Sequence, residues 1–357
     1  MTTIDHDLQA TEVVAPVPVR RRSPVALGRY SVVLIWAALM IFFALTAENF
    51  LSAGGIRFTL AGKSPVAFMT LALVLPLAAG VFDVSVGAMY GFAGMMLAQL
   101  EASDAIASNI VVNIVLVLVV CLAIGAANGF LVTVLKVNSF IATLGMSSVL
   151  VAATLQLSNN ARVAGMFSER ARAVVNDVWF LQQVKSFWYL LAIAGVLYWF
   201  LELTPKGRYL HATGGNMEAT RLAGIRVGRY VAGSLVGSAG LAAVGGIFFV
   251  LQHNSASPDS GIPLLFGAFA AVFLGATQFS QRPNVLGTLV SVFMLAFLTR
   301  GLQIKFPGNT AVDPFANGLV LLLAVGVVAI NFQPLKRWLR RDRRTTGREG
   351  GPAARGT

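Results

Sequence analysis

Asn109–Leu135 reads NIVVNIVLVLVVCLAIGAANGFLVTVL and carries no charged side chain from end to end. A helix needs about 20 apolar residues to cross the hydrocarbon core of a bilayer, within a range of roughly 17–25. This run meets that length, and the rest of the chain repeats its character. Further apolar runs are Ser31–Ala47, Pro65–Gly80, Val84–Leu100, Ser139–Leu157, Phe187–Leu203, Tyr230–Leu251, Leu264–Thr277, Val285–Ile304 and Phe315–Asn331. The expectation is an all-α polytopic integral membrane protein with about ten transmembrane helices. Pro65–Gly80 and Leu264–Thr277 are short and read as tilted, discontinuous or partly re-entrant.

The whole composition agrees. Of 357 residues, 56% are hydrophobic and 12% charged, against about 25% charged in soluble domains. A soluble domain of this size could not hide so much apolar surface, and lipid is the solvent that resolves the excess. Thirty-five glycines and thirteen prolines suit a membrane bundle, where small residues let helices approach and neighbouring chain re-satisfies broken backbone bonds.

The formal charge of +12 raises the question of nucleic acid. The basic residues lie at the two ends and in one long loop without aromatic interleaving, which reads as the positive-inside bias of a membrane protein, with no nucleic-acid partner. An even number of spans puts both termini on one side. Arg20, Arg21 and Arg22 and the segment from Lys336 to Arg344 assign that side to the cytoplasm. Lys136, Arg282 and the loop Thr204–Arg229 then fall inside, whereas Arg57, Lys63 and the mixed-charge segment Arg162–Lys185 fall outside. No cleavable signal peptide is expected at the start. The division is a cytoplasmic segment 1–30, a transmembrane domain 31–331 and a basic, disordered tail 332–357.

Chemistry-bearing motifs are few. Cys121 is the single cysteine, which excludes an intramolecular disulfide and a cysteine metal cluster. Gly62-Lys63-Ser64 imitates the end of a phosphate-binding loop, but Arg57 stands where the first glycine is needed. His6, His211 and His253 are scattered. The expectation is no enzyme, no metal and no cofactor held by this chain.

Asp83 stands in the short link between the second and third runs, and two readings stand: an ion-coupling group, or a helix cap shared with Ser85. Asn128, Asn138, Ser139 and Thr143 also have two readings. They line a hydrophilic pathway with Asp83 and Ser85, or they bond between helices, at about 0.6 kcal/mol each.

The most informative loop is TPKGRYLHATGGNMEATRLAGIRVGR, Thr204–Arg229. It opens with a Thr-Pro helix stop. Asn216 is placed to cap a short helix, Met217–Ala223, that Gly224 ends. A short cytoplasmic helix between two spans is what a permease needs to receive a push from a nucleotide-binding partner. The alternative is an amphipathic turn lying on lipid.

At these residues the sequence resembles the ribose-type permeases of ATP-binding cassette (ABC) importers, within the branched-chain amino acid and ribose-like permease superfamily. Gly207, Arg208, Ala212, Gly214, Gly215, Asn216, Glu218, Ala219, Arg221, Gly224, Ile225 and Val227 fit that family's segment, with Thr220 replacing an alanine. Asp83-Val84-Ser85-Val86-Gly87, Gly125–Gly129, Val137–Met146, Phe269–Thr277 and Gly287-Thr288-Leu289 extend the likeness along most of the membrane region. Arg162–Lys185 and Gln278–Asn284 depart from it.

The resemblance implies helices arranged as in vitamin B12-type (type II) importers and a multi-pass protein of the cell inner membrane. It implies a homodimer or a pairing with a sister permease, an extracytoplasmic solute-binding protein, and an ABC ATPase holding ATP and Mg under the 204–229 loop, with Glu218 seated in the ATPase. Its solute class is a monosaccharide, pentose first, with a polyol or signalling furanosyl compound second. A self-powered secondary carrier using Asp83 is the competing reading, and a non-transporting scaffold a third.

Overall fold

The computed structural model describes residues 26–103, 109–278 and 282–331. The expectations for Arg20–Arg22 and the tail 332–357 lie outside them, as do residues 279–281 of the departing turn. Thirteen helices follow one another among the described residues: α1 Ala26–Thr46, α2 Ala53–Ala78, α3 Ser85–Ala102, α4 Ile110–Thr133, α5 Ser139–Ser158, α6 Glu169–Asn176, α7 Lys185–Tyr198, α8 Pro205–Gly215, α9 Met217–Leu222, α10 Val227–His253, α11 Ile262–Thr277, α12 Val285–Lys305 and α13 Val312–Asn331. A wider π-type turn, Trp199–Leu203, prolongs α7. Each of the ten apolar runs falls on one of these helices. By length and composition, six are able to cross a membrane: α2, α4, α5, α7 with its extension, α10 and α12.

Polar side chains set the starts. Asn109 accepts a hydrogen bond from the Val111 N–H at 2.9 Å and caps α4. Asn138 takes the Phe140 N–H at 3.0 Å ahead of α5, and Asn284 takes the Gly287 N–H at 2.7 Å ahead of α12. Each satisfies an amide that the helix itself leaves unpaired.

The structure corrects the start of the second span. α2 begins at Ala53, not Pro65, with Ser52 accepting from the Gly55 N–H at 3.1 Å. Arg57 and Lys63, expected in an outer loop, are therefore helical. An apolar run ends at the first charge, but Arg and Lys are good helix formers and the backbone ladder continues through them. Pro65 and Pro76 sit inside the same helix, which a bundle tolerates when neighbouring elements occupy the freed carbonyls.

α10 is the central element, packed on α4, α2 and α3, while α11 and α12 pack together and α13 rests on α11. Close backbone approach makes this possible. A Cβ on Gly246 of α10 would collide with the Tyr90 carbonyl of α3, and one on Gly261 with the Gly87 carbonyl. In lipid, where apolar side chains gain little by leaving the solvent, such small-residue contacts supply the packing energy. α3 is buried almost throughout, including Met89, Tyr90, Met95 and Leu97. α4 instead shows Val111, Val115 and Val119 outward and keeps Asn113, Val117, Cys121 and Asn128 inside. This is the face pattern of a helix at the rim of a bundle in lipid.

The connections gather at two ends. At one, the Phe82 N–H donates to Ser139 Oγ at 3.3 Å, and Arg282 pairs with Glu202 at 2.7 Å. At the other, Gln99 donates to the Leu157 carbonyl, Arg300 donates to the Asn49 carbonyl at 3.4 Å, and Arg162 donates to Ser255 at 2.7 Å. There the strands β1, Val163–Ala164, and β2, Ser255–Ala256, pair antiparallel.

Candidate functional site

The segment between α7 and α10 is more ordered than its glycines suggest. Thr204 ends one element and starts the next: its Oγ donates to the Phe200 carbonyl at 2.6 Å and accepts from the Gly207 N–H at 3.2 Å. Pro205 occupies the first helical position, where its missing N–H costs nothing. The Thr-Pro pair expected only as a stop thus also opens α8, an element the sequence reading did not include. Gly207 and Gly214 lower intrinsic helix propensity, and contact with other parts of the chain overrides it. Gly207 lies against the carbonyls of Phe200 and Leu201, where no side chain fits.

α9 follows as the spacing predicts. Asn216 Oδ1 accepts from the Ala219 N–H at 2.9 Å, and Gly224 leaves the helix with φ +82°, a backbone region that glycine enters without strain. Thr220 faces inward and donates to the Ala212 carbonyl at 2.9 Å, so α9 is fixed to α8. Arg208, Gly214, Gly215, Asn216, Glu218, Ala219, Arg221 and Gly224 are exposed, and Ile225 is half-buried. Leu222, which sequence reasoning passed over, is 81% exposed beside Glu218 and Arg221. On α9 an exposed apolar side chain thus stands beside an acid and a base.

Two structures tie this face to the bundle. The first is Gly214 against the end of α2: a Cβ there would collide with the Ala78 carbonyl and approach the Gly80 N to 2.9 Å. Gly80 itself has φ +78°. The second is Glu202, which binds Arg282 at 2.7 Å and lies 3.8 Å from His211 Nε2, too far for a hydrogen bond. Burial lowers the His211 pKa from its ordinary value, the Arg282 charge lowers it further, and Glu202 opposes both. His211 is therefore neutral at pH 7. The Gly80–Gly214 approach and the Glu202–Arg282–His211 group were not legible, because each arises from contacts between separate connections.

The residues expected along a polar pathway divide into two sets. Asp83, Ser85 and Asn128 meet in the bundle interior and recruit Ser238 of α10. Asp83 Oδ1 accepts from the Ser85 N–H at 3.1 Å and the Ser85 hydroxyl at 2.6 Å, and Oδ2 accepts from Ser238 at 2.9 Å. Asn128 Nδ2 donates to Ser85 Oγ at 3.0 Å. All four are essentially fully buried. A buried carboxylate persists when several donors surround it, and here one carboxylate joins the α2–α3 connection, α3 and α10, with α4 attached through Ser85.

Asn138, Ser139 and Thr143 form the other set. Asn138 is exposed and caps α5, while Thr143 Oγ accepts from the Val84 N–H at 3.0 Å and fastens α5 to the connection that carries Asp83. None of these six residues borders the three cavities described in the bundle, two of which lie along α2 and α12 and the third where α12 gives way to α13.

A profile of the family described as "Branched-chain amino acid transport system / permease component" matches residues 55–328. The ribose import permease protein RbsC of Escherichia coli (strain K12) is 31% identical over 299 residues, covering 81% of this chain and 90% of that protein. RbsC of Bacillus subtilis (strain 168) is 30% identical over 249 residues, covering 69% and 76%. The autoinducer 2 import system permease protein LsrD of Yersinia pestis (strain Pestoides F) is 25% identical over 328 residues, covering 88% and 97%. No solved structure matches significantly. With the match running from the first turn of α2 into α13, the chain belongs to the family of branched-chain amino acid transport system permease components.

Proposed function

We propose that this chain is the membrane-spanning permease of an ABC importer for a monosaccharide or a similar small polyhydroxylated solute. A soluble binding protein delivers the solute outside, and a separate ATPase subunit holding ATP and Mg docks on α8 and α9. The permease itself makes and breaks no covalent bond. Two such chains, or this one and a sister permease, enclose the pathway, with about ten spans each in an arrangement similar to that of the vitamin B12-type importers. Both termini lie in the cytoplasm of a cell whose inner membrane holds the complex.

One observation carries this reading. A six-residue helix, α9, is capped by Asn216, pinned by Thr220, and presents Glu218, Arg221 and Leu222 outward. Behind it, Gly214 meets the end of α2 backbone to backbone. A push on α9 therefore reaches the connection holding Asp83 through rigid contacts, not through a flexible loop. The relatives named for ribose and autoinducer 2 import support the solute class.

The self-powered carrier reading has less behind it. Asp83 is fully engaged by three donors, as expected of a structural junction.

The test is capture of an ATPase subunit from native membranes by tagged wild-type chain and by a Glu218→Arg, Leu222→Asp variant of equal expression and monodispersity. Wild type is expected to retain the ATPase and the variant to lose at least about tenfold of it, since a desolvated interface centre carries 1.4 kcal/mol or more. Equal capture by both would remove α9 from the docking face. No capture by wild type under cross-linking would return the self-powered carrier.

A further inference from the structure

The connection between α6 and α7 closes in a hairpin whose tip is apolar. Residues 178–184 read VWFLQQV and carry no charge. Val178, Trp179, Phe180 and Leu181 are all exposed, Leu181 by 70%. The hairpin is nonetheless held in one shape. Val178 bridges Val184, the Trp179 N–H donates to the Gln183 carbonyl at 2.8 Å, and the Lys185 N–H donates to the Asp177 carbonyl at 2.9 Å. Across its base the Lys185 ammonium pairs with Asp177 Oδ2 at 2.9 Å. Leu181 turns the chain with φ +51°, a left-handed conformation that glycine enters freely and leucine only at a cost. The turn itself therefore does not account for a leucine there.

The depth of this tip follows from α7. Lys185–Leu203 is able to cross a membrane, and its 19 residues at 1.5 Å each span about 29 Å, against a hydrocarbon core of about 30 Å. Lys185 therefore stands at one boundary of that core, and Trp188 lies one turn further in. The tip folds back on this turn. Phe180 and Trp179 have ring centroids 5.3 and 6.4 Å from that of Trp188, whose Nε1 donates to the Phe180 carbonyl at 3.1 Å. Their open faces are thus level with the headgroups and the first acyl carbons, not out in bulk water.

We infer that the hairpin 178–184 is a membrane-interface anchor whose partner is the headgroup–acyl boundary of the bilayer. Tryptophan suits that boundary, with an apolar ring body and an N–H for the wet side. Backbone that leaves the helical ladder is tolerated there and not in lipid-exposed hydrocarbon. A protein-docking face surrounds its apolar centre with a polar rim. Here the flanking charges, Asp177 and Lys185, pair with each other, and the exposed charges of the same connection lie on α6 instead, at Glu169 and Arg170. The anchor reaches the bundle through Asn176 of α6, which donates to the Gln252 carbonyl near the end of α10 at 3.3 Å. Grip on the bilayer is thereby passed to the central helix. The inference rests on the chain being a membrane protein and not on the ATPase-coupled reading, so either can fail alone.

Because Cys121 is fully buried, a nitroxide label can be directed to one introduced thiol. The full chain carrying Leu181→Cys is labelled and placed in nanodiscs of phosphatidylcholine and phosphatidylglycerol. Collision of the label with oxygen, which concentrates in lipid, is compared with collision with a nickel chelate, which stays in water. Asp259→Cys gives the ratio in water, and Val115→Cys, on the outward face of α4, gives the ratio in lipid. The ratio at Leu181 is expected to lie nearer that at Val115 than that at Asp259. A ratio at the Asp259 level would put the tip in water and overturn the inference. Weak collision with both reagents would mean a tip covered by protein, a second copy or another partner, and would overturn it too. Should Leu181→Cys fail to fold, Trp179→Phe decides the matter, since it keeps an aromatic ring at the tip. It is expected to remove part of the tryptophan emission that lipids brominated near the carbonyl end of their chains quench. An unchanged quenched fraction would remove Trp179 from the bilayer and sink the anchor.

Discussion

Glu202 holds Arg282 at 2.7 Å while its other oxygen faces His211 without a hydrogen bond, so one carboxylate serves a charged and a neutral neighbour at once. The His211 pKa is lowered by burial first and by Arg282 second. In the unfolded chain His211 returns to its ordinary value of about 6.5 and binds protons that the folded site refuses. Its contribution to stability is therefore complete above about pH 6.5 and is lost as pH falls through the lowered folded value. Protection of the α8 amides against hydrogen exchange, corrected for intrinsic rates, is expected to fall between pH 7 and pH 5, and His211→Gln is expected to flatten that slope. Protection independent of pH in the wild type would remove His211 from the joint. Asp83 shows the same logic inside the bundle, where three donors from α3 and α10 fix one carboxylate. Its sequence position permitted a cap or an ion site; in the structure one oxygen takes the Ser85 N–H and the other is held by Ser238 of α10.

α8 and α9 differ in how much of them sequence could reveal. α9 is written in local signals, with Asn216 at its start and Gly224 in a left-handed conformation past its end, and those signals act over a few residues. α8 contains Gly207, Gly214 and Gly215, which argue against a helix, and it exists because Gly207 and Gly214 fit against carbonyls where a Cβ could not. The same division runs through the bundle: the ten apolar runs were readable because hydropathy is local, whereas the start of α2 was hidden by Arg57 and Lys63. Asn216 was legible as a cap, whereas Asn138, read as lining a pathway or bonding between helices, caps α5. Ser238 was not recognisable as Asp83's partner, being one serine of α10 with no periodic signal. The fit of α8 on α2 has a consequence for coupling. Gly214→Val forces the two backbones apart, and overpacking of this kind costs about 1–3 kcal/mol. The variant is expected to retain the ATPase in membranes, since α9 is unchanged, yet to lose most solute-stimulated ATP hydrolysis in proteoliposomes. Unchanged stimulation would mean that the push travels by a route other than Gly214 and Gly80.

At the scale of the molecule, the contacts between connections sort the chain into two ends, and that sorting carries the topology argument beyond charge counting. Phe82 with Ser139, Gly80 with Gly214, and Glu202 with Arg282 belong together, while Asn49 with Arg300, Gln99 with Leu157, and β1 with β2 belong to the opposite end. The first end carries α9 and the second the β1–β2 pair. The proposed importer has the first end in the cytoplasm and the second outside. Alternation of the spans then fixes the side of every connection at once, so two introduced thiols test the whole arrangement. Asp259 is exposed in the connection after β2, and Leu222 is exposed on α9. In intact cells a membrane-impermeant maleimide is expected to label Asp259→Cys, and to label Leu222→Cys only after permeabilisation. The reverse pattern would invert the protein and place α9 on the outer face, beyond reach of a cytoplasmic ATPase. Labelling of both from outside would break the alternation, and with it the continuous path from a pushed α9 to a pathway that opens on the other face.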